Sequence, residues 1–376
     1  MTDQPRRVRH LVKGLGPGGA ERLIVNQISA TAPDDEHQVA YLVAAKDQLV
    51  AELEAGGVTV HCLDNRSRLG WIWRLRKLLK SDPTDILHTH SPAVAAVARL
   101  VVLSLRPRDR PVLVGTEHNR WPRHHWLTRT ANRLTIRFET ATIAVSEDVA
   151  STIVGARSGQ VRTIIHGIDL DVARGNADRS TTRQELGATS DDVLAVCVAN
   201  LRREKALDEL VEAAALALAQ APRLKYVIAG QGPLAADLNR WITERGLGDR
   251  FLALGYRPDV ARILSAGDFF TLSSHHEGLP VALMEALALG LPIAATAAGG
   301  VPQAAGSAGL ITPIGDVEAL AASHVRLALD ASERSRLATN ANQQALRFSI
   351  ARATAEIEAV YDAASADVAA RDNKQS

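Results

Sequence analysis

The chain has 376 residues, of which 46% are hydrophobic and 23% are charged, with 2 cysteines and a formal net charge of +1. This length predicts two domains, since a single core rarely grows beyond about 250–300 residues. The apolar content excludes a disordered chain, and Cys62 and Cys197 are too few for a disulfide framework or a cysteine-based zinc site. The near-neutral charge argues against general nucleic-acid binding. Without a long apolar run, we expect no transmembrane helix and no signal peptide, and therefore a cytoplasmic protein.

Short β-rich segments alternate with longer Ala- and Leu-rich helical segments along the chain. Seven strand candidates lie between residues 8 and 165, and six lie between residues 193 and 312. This alternation predicts an α/β fold of two Rossmann-like, doubly wound domains, with the ligand site in the cleft between them. We expect the domains at residues 1–168 and 183–346, joined by a polar linker at 167–182. Residues 347–376 are expected to form a closing helix and a frayed tail.

A glycine-rich turn follows the first strand. Gly14, Gly16 and Gly19 have the G-x-G-x-x-G spacing between a strand and a helix. Glycines let backbone amides approach a phosphate at a helix N-terminus. A dinucleotide site also needs an acid at the end of the second strand, and Asp47 comes late for that role. A nicotinamide site and a plain turn stay open, but a loop that contacts a phosphate or an acceptor is favoured.

The strongest signal is the segment HHEGLPVALMEALALGLPIAAT at residues 275–296. Pro280 suits the first turn of a helix and Gly290 its left-handed end. The free amides of the first turn would face an anion such as a diphosphate. Glu277 and Glu285 would flank that anion and accept hydrogen bonds from sugar hydroxyls. The alternative is that both acids are ordinary capped or ion-paired helix residues.

This E-x7-E segment resembles the hallmark of the family-4 retaining glycosyltransferases. Shorter motifs agree with it in order along nearly the whole chain, namely PGGAE from residue 17, HTHSP from 88, GTEHN from 115, VSEDV from 145, HGID from 166, NLRREK from 200 and IAGQGP from 228. The resemblance implies two facing Rossmann-like domains of the GT-B type. It implies an N-terminal acceptor domain, a C-terminal nucleotide-sugar domain and a last helix that crosses back to the first domain.

The resemblance also implies roles for individual residues. The implied catalytic residues are Glu277, His118, Lys205 and Arg203. The implied donor-binding residues are Gly16, Gly18, Gly19, Arg202, Gly278, Leu279, Pro280, Val281 and Glu285. Two positions depart from the family pattern, since Asn200 stands where the family has arginine and Gln303 where it has glutamate. Arg202 or Arg203 is expected to supply the missing charge.

The implied reaction is transfer of a hexosyl unit, with retention, from a UDP- or GDP-linked sugar to a sugar, glycan or lipid-linked acceptor. No cofactor or metal is required, and the Asp169–Asp171 pair is interpreted as turn chemistry. Three alternatives stay open. They are a nucleotide-sugar epimerase or hydrolase, a dehydrogenase, and a non-catalytic sugar-nucleotide-binding scaffold at a membrane.

Charge is unevenly distributed along the chain. Residues 1–180 carry 25 Lys/Arg against 19 Asp/Glu, whereas residues 181–376 carry 18 against 23. Two acid-free basic tracts, residues 66–80 and 119–138, hold four of the five tryptophans. Their predicted surface residues are Trp73, Arg76, Lys77, Lys80, Trp121 and Trp126. The hypothesis is peripheral docking on the anionic inner face of the cell membrane. The alternative is an ordinary helix with a solvated charged face and buried tryptophans.

Overall fold

The computed structural model describes residues 5–16, 18–31, 35–64, 69–174 and 178–375. The chain divides into two compact units. Unit 1 comprises Met1–Gly167 with Ile350–Ser376, and unit 2 comprises Ile168–Ser349. Each unit contains one parallel sheet with helices packed on it. The predicted class, two Rossmann-like α/β domains, is confirmed.

The described part of unit 1 forms a seven-stranded sheet. Its strands are β1 (Arg6–Val12), β2 (Asp35–Tyr41), β3 (Thr59–Cys62), β4 (Ile86–Thr89), β5 (Val112–Glu117), β6 (Ala141–Ala144) and β7 (Val161–Thr163). Their order in space is β3-β2-β1-β4-β5-β6-β7. The helices between them are α1 (Gly19–Ala30), α2 (Val50–Ala55), α3 (Gly70–Ser81), α4 (Pro92–Leu103), α5 (Trp126–Thr135) and α6 (Glu147–Ala150).

Helices cover both faces of this sheet because alternate strand residues point to opposite sides. Leu11 of β1 and Leu87 of β4 pack against Leu75 of α3 and Val101 of α4 on one face. Helix α5 packs beside α4. Val8 of β1 points to the opposite face, where it joins a separate apolar cluster. Strands that are buried on both faces explain the nearly continuous apolar runs in the sequence.

A buried ion pair fixes the positions of α4, α5 and the end of β5. The Arg99 guanidinium of α4 donates to Glu139 Oε1 at 2.7 and 2.9 Å, and both side chains are 1% exposed. The same guanidinium donates to Asn132 and Thr135 of α5 at 2.7 and 3.0 Å. Gly115 of β5 lies directly over the Glu139 carboxylate, where a Cβ atom would overlap its oxygens. A larger residue in β5 would therefore displace a fully hydrogen-bonded charge.

Unit 2 contains a six-stranded sheet within its described residues. The strands are β8 (Val193–Val198), β9 (Leu224–Ala229), β10 (Phe251–Ala253), β11 (Phe269–Leu272), β12 (Ile293–Thr296) and β13 (Gly309–Thr312), and their order is β10-β9-β8-β11-β12-β13. The helices are α7 (Leu170–Arg174), α8 (Arg179–Glu185), α9 (Leu207–Leu218), α10 (Ala235–Glu244), α11 (Val260–Ser265), α12 (Val281–Ala288), α13 (Val301–Ala305), α14 (Val317–Leu329) and α15 (Ala331–Ala345).

The last helix, α16 (Ile350–Gln375), belongs to unit 1 and packs on α1 and β5. Its Tyr361 hydroxyl lies 2.6 Å from His88 Nδ1 and accepts a hydrogen bond from Gln27 at 3.3 Å. We assign the Tyr361 hydroxyl as the donor to His88 Nδ1, because its oxygen already accepts from the Gln27 amide. The His88 Nε2–H then donates to Thr116 Oγ1 at 2.7 Å. This buried chain ties α1 and α16 to β4 and β5.

The order of strands reverses once in each sheet. In unit 1 the reversal lies between β1 and β4, and in unit 2 it lies between β8 and β11. At such a point the segments that follow two neighbouring strands turn away from each other, which leaves a crevice at their carboxyl ends where ligands bind. The segments after β1, β4, β8 and β11 are therefore the places where site residues should be sought.

Two sequence-based expectations about the chain's connections are wrong. The predicted linker at 167–182 contains α7 and the start of α8, which belong to unit 2. Asp178 caps α8 by accepting from the Ser180 and Thr181 amides, and α7 packs on α12. Local side-chain caps and tertiary contacts therefore stabilise helices that are too short to show apolar periodicity. The predicted frayed tail is helical to Gln375, because no glycine or proline interrupts α16.

Replacing Tyr361 with phenylalanine tests the buried chain that holds α16. The Tyr361→Phe variant should lose about 1–3 kcal/mol of unfolding free energy, because His88 Nδ1 would become a buried acceptor without a partner. Urea unfolding followed by tryptophan fluorescence would report unit 1, which holds four of the five tryptophans. The control is Tyr256→Phe, whose ring is 54% exposed in unit 2. Equal unfolding midpoints for Tyr361→Phe and the wild type would contradict the assignment.

Candidate active site

Two loops of unit 2 meet at the switch point between β8 and β11. The loop after β8 includes a 3-10 turn at Arg203–Lys205, and the loop after β11 leads into α12. Lys205 Nζ lies 2.6 Å from Glu277 Oε1, with the side chains 17% and 8% exposed. These groups are 72 residues apart in the chain. The sheet therefore brings an ammonium and a carboxylate of two predicted site residues into direct contact.

Helix α12 starts beside this ion pair. Pro280 is its N-cap and has no side-chain hydrogen bond to the first turn, so the early amides are not capped by a side chain. The helix begins at Val281, so Pro280 lies just before its first turn and not within it as predicted. Gly278 and Leu279 lead into the helix, and Gly290 follows it with φ of +72°, as the sequence predicted. The helix N-terminus is thus able to receive an anion.

Two glycines that follow β12 pack against the backbone of the loop that carries Glu277. Gly300 N donates to Gly278 O at 3.0 Å. Gly299 adopts φ of +52°, a left-handed conformation that glycine tolerates, and a Cβ atom there would overlap the Glu277 carbonyl oxygen. The AGGVP sequence after β12 therefore allows close backbone packing that holds Glu277 and Gly278 in place.

The remaining predicted donor-binding residues of unit 2 differ in their surroundings. Glu285 is partly buried one turn into α12 and has a polar partner. Arg202 and Arg203 are both exposed, and within the described ranges neither forms an ion pair. Asn200, at the position where the family has arginine, is also exposed. The structure thus brings Lys205, Glu277 and the α12 N-terminus together. The side chains of Arg202 and Arg203, three and two residues before Lys205 in the chain, are exposed to solvent.

The glycine-rich turn of unit 1 follows β1 at its switch point. Gly18 is the N-cap of α1, which begins at Gly19, and Gly16 lies two residues earlier. Pro17 of the PGGAE motif lies outside the described residues. The Leu15 amide donates to Lys46 O at 2.7 Å, so the loop after β2 holds the turn in place. The turn therefore lies at the carboxyl end of β1, where the strand order reverses.

His118 directly follows β5 and lies beside two other buried histidines. Its ring stacks on His166 with centroids 5.5 Å apart, and the His90 ring is 6.0 Å away. Burial, and then the neighbouring His166, lowers the pKa of His118 to about 3. Burial, and then Arg352, lowers the pKa of His166 to about 4. At neutral pH these imidazoles are uncharged, so they can exchange hydrogen bonds with hydroxyls but cannot act as cations.

Three further histidines continue this buried group toward β2. His10 Nδ1 lies 3.0 Å from His90 Nε2, and His10 Nε2 lies 2.9 Å from His37 Nδ1. His10, His88 and His90 present nitrogens within 4.8 Å of one another. Both ring nitrogens of His10 and of His88 already have hydrogen-bond partners, and burial lowers the pKa of each well below its ordinary value. These contacts describe a neutral hydrogen-bonded network.

The residues of the predicted basic surface differ in exposure. Trp73 of α3 is 73% exposed, Lys77 and Lys80 are exposed, and Trp126 of α5 is 62% exposed. Arg76 is half-buried and donates to Ser104 at the end of α4. Arg66 and Arg68 of the first tract lie outside the described residues.

Trp121 does not belong to this surface. Its side chain is only 1% exposed, and its backbone amide donates to Thr152 Oγ1 at 3.1 Å. The prediction that Trp121 is a surface residue is therefore wrong. A tryptophan next to basic residues in the sequence can still turn inward, because the turn that carries it folds against the neighbouring loop.

Several residues of these sites were missed by sequence analysis. Ser274 donates to Glu277 Oε1 at 2.6 Å, and His275 Nε2 lies 2.7 Å from Glu209 Oε1. In unit 1, Glu117 is buried next to His118, and burial followed by the charge of Glu139 raises its pKa to about 8. The only sequence signal for Ser274 was its position three residues before Glu277.

Comparison with known proteins identifies the family to which the chain belongs. The profile of the family described as Glycosyl transferases group 1 matches residues 178–344, and that of Glycosyltransferase Family 4 matches residues 17–172. The D-inositol 3-phosphate glycosyltransferase of Saccharomonospora viridis is 30% identical over 308 residues, covering 78% of this chain and 67% of that protein. The chain belongs to the family-4 glycosyltransferases.

Two further relatives extend the comparison. The UDP-Gal:alpha-D-GlcNAc-diphosphoundecaprenol alpha-1,3-galactosyltransferase of Escherichia coli is 30% identical over 237 residues, covering 58% of this chain and 59% of that protein. The crystal structure of Anabaena HepE in complex with UDP and glucose has a TM-score of 0.84 at 22% identity, covering 95% of this chain and 100% of that one. The likeness to HepE shows that this glycosyltransferase shares its GT-B fold.

The buried histidines predict that the glycosyltransferase loses stability in mild acid. Above pH 6.5, His118 and His166 are neutral whether the chain is folded or unfolded. Below pH 6.5 only the unfolded chain takes up the protons, until the pH reaches the folded pKa values of about 3 and about 4. Each histidine should therefore lower the unfolding free energy by about 1.4 kcal/mol per pH unit between pH 6.5 and 4.

The measurement is urea unfolding between pH 7.5 and 5, followed by tryptophan fluorescence. His166→Asn should reduce the slope of the unfolding free energy against pH by about 1.4 kcal/mol per pH unit, which is the contribution expected of one histidine. His125→Asn is the control, because His125 is exposed and asparagine can replace it as the N-cap of α5. Wild-type stability that does not change from pH 7 to pH 5 would show that these imidazoles are not held neutral.

Proposed function

We propose that the protein is a retaining glycosyltransferase that moves a hexosyl unit from a UDP- or GDP-linked sugar to an acceptor. The observation that carries the proposal is the contact of Lys205 with Glu277 beside the N-terminus of α12. One ammonium, one carboxylate and a set of free amides at a switch point suit a ligand with an anionic and a hydroxylated part. A nucleotide-sugar has both.

In this proposal, unit 2 binds the diphosphate through positive charge and backbone amides. Lys205 and the first amides of α12 would neutralise the phosphate oxygens as charge builds on the leaving nucleoside diphosphate. Arg203, or Arg202, would turn from solvent toward the same phosphates in place of the arginine that Asn200 replaces. Positive charge that is already in place, that of Lys205 and the helix amides, would stabilise the charge that develops in the transition state.

The two glutamates of the E-x7-E motif would bind hydroxyl groups on either side of the diphosphate. Glu277 would accept from the transferred sugar, and Glu285, one turn further along α12, from the ribose. A carboxylate is a strong acceptor for hydroxyls but repels phosphate, so both acids are suited to the flanks of the anion. Leu279 and Gly278 would leave the backbone close to the sugar.

Unit 1 would hold the acceptor and assist at the reacting sugar. His118 is a neutral imidazole with Nε2 buried and without a hydrogen-bond partner among the described residues. Such a group can donate to, or accept from, a sugar hydroxyl without adding charge to the site. The glycine turn at Gly16–Gly19 would approach the phosphates. The departing phosphate would accept the acceptor's proton, with attack from the same face and without a metal ion.

The acceptor is proposed to be a lipid-linked or other precursor of a cell-envelope glycan. The E. coli relative acts on GlcNAc-diphosphoundecaprenol, according to its name. An exposed apolar and basic surface on unit 1 supports a membrane-bound acceptor. Lys80 and Trp73 line a surface depression of about 350 Å³ together with Arg76, Lys77 and Ser81. None of the described helices is both long and apolar enough to cross a bilayer.

Donor screening with matched variants tests the reaction. Melting temperatures with UDP, GDP and their sugars should identify the nucleotide, because a ligand specific to the folded state raises stability. With that donor, Glu277→Gln and Glu285→Gln should lower turnover by about a hundredfold or more. The control is Glu318→Gln, an exposed residue of α14.

The same assay separates the alternative enzymes. Release of nucleoside diphosphate that depends on an acceptor, survives EDTA and yields a product with the donor's anomeric configuration would agree with the proposal. Release without acceptor would favour a hydrolase, and unchanged turnover in both glutamine variants would remove the reaction from this site.

Liposome sedimentation tests the membrane proposal. Trp73→Ala/Lys77→Ala/Lys80→Ala should reduce binding to anionic vesicles about tenfold or more, since each basic residue near such a surface contributes about 1 kcal/mol. Arg76 is kept, because it also supports α4. The control is Arg240→Ala/Trp241→Ala/Arg245→Ala in unit 2, where the first two residues lie on α10 and Arg245 directly follows it. Equal binding to neutral and anionic vesicles, or binding that does not weaken in salt, would reject the electrostatic mechanism.

A further inference from the structure

We propose that Ser274 is a positioning residue for sugar transfer, because it orients the Glu277 carboxylate while its neighbour Ser273 fixes the backbone of Lys205. The inference rests on the proposed function, and it adds a requirement that the family resemblance does not supply. Both serines follow β11 directly, at the switch point of unit 2. Each is 1% exposed, so each hydroxyl acts inside the protein.

Ser274 and Lys205 bind the same oxygen of Glu277. Ser274 Oγ donates to Glu277 Oε1 at 2.6 Å, and Lys205 Nζ lies 2.6 Å from that same atom. Neither group engages Oε2, which is left as the oxygen for a sugar hydroxyl. Two donors on one oxygen fix both the position and the rotation of the carboxyl plane, which one flexible lysine alone would not do.

The backbone that carries the Ser274 hydroxyl is itself held in place. Thr296 Oγ1, at the end of β12, donates to Ser274 O at 2.5 Å, and Thr296 is 2% exposed. Serine has a single side-chain torsion before its hydroxyl, whereas lysine has four. A short buried donor on a strand end is therefore a more rigid support for Glu277 than the Lys205 ammonium. It also remains in place if the ammonium moves toward a phosphate.

Ser273 acts on the other half of the ion pair. Its Oγ lies 2.8 Å from Lys205 O and 2.9 Å from Ala206 O. Ala206 has φ of 45°, the only positive φ of a non-glycine residue in the described part of the chain. A left-handed alanine is strained, and it persists only when its surroundings hold it there. The His275 amide also donates to Glu204 O at 3.0 Å, so the two loops are joined on either side of the strained residue.

Two substitutions of Ser274 distinguish positioning from simple space-filling. Ser274→Ala removes the hydroxyl and leaves a small cavity, whereas Ser274→Cys fills the space with a much weaker donor. Both should lower kcat by about tenfold to a hundredfold, as expected when a reacting group is misplaced by an ångström or less. Affinity for the free nucleoside diphosphate should stay within about twofold, since that ligand has no sugar for Glu277 to bind. Ser265→Ala, which removes a hydroxyl bonded within α11, should match the wild type.

Three results would overturn the inference. They are a kcat within about twofold of wild type in Ser274→Ala, recovery of kcat in Ser274→Cys, and an equal loss of affinity for the free nucleoside diphosphate. The last two would reveal a packing role. A crystal structure of Ser274→Ala gives an answer even if no donor is turned over by the wild type. A Glu277 carboxylate that is displaced, or that adopts two conformers, would support the positioning role of Ser274. An unchanged carboxylate would reject that role. Failure of the wild type to use any donor would count against the proposed function alone.

Discussion

The contact of Lys205 with Glu277 depends on one property of parallel sheets, namely that every strand ends at the same edge. Because β8 and β11 are neighbours where the strand order reverses, the loops after them begin side by side, and Lys205 of one loop contacts Glu277 of the other. The ammonium and the carboxylate lie 2.6 Å apart there, although 72 residues separate them. The glycines after β12 and the serines after β11 then hold these two loops in place.

Unit 1 uses the same edge of its sheet for a different kind of chemistry. His10, His88 and His90 lie at the ends of β1 and β4, and His118 follows β5. Burial removes their charge, so this unit presents neutral hydrogen-bonding groups where unit 2 presents an ion pair. In the function that we propose, the neutral groups of unit 1 would bind hydroxyls of an acceptor and the charged groups of unit 2 would bind a diphosphate. Helix α16 belongs to this arrangement, because Tyr361 orients the proton on His88.

The charge asymmetry of the sequence corresponds to a difference between the surfaces of the two units. Exposed Trp73 and Trp126 lie on helices that cover one face of the unit 1 sheet, together with lysines that have no acidic residues beside them in sequence. The basic excess of residues 1–180 is therefore partly displayed as an amphipathic surface. Trp121 shows the limit of that argument, since it lies in the same basic tract and is buried.

The class of the fold, the succession of strands along the chain and the helix of the E-x7-E segment could all be predicted from the amino-acid sequence alone. These features depend on local properties, namely apolar periodicity, the positions of glycine and proline, and the residues at helix ends. Each of these can be recognised from neighbouring residues. The sequence indicated Glu277 from its position just ahead of the predicted helix and Lys205 only through resemblance to a family, and no local signal showed that the two would touch.

Tertiary structure decided which of these residues meet and which are buried. Lys205 became a partner of Glu277 only when the neighbouring strands β8 and β11 brought their loops together, and the histidines became a network only when the register aligned β1 with β4. The short helices α7 and α8 formed where composition predicted a linker. Packing determines which residues far apart in the chain come into contact and which lose their contact with water. No pattern among neighbouring residues predicts that packing.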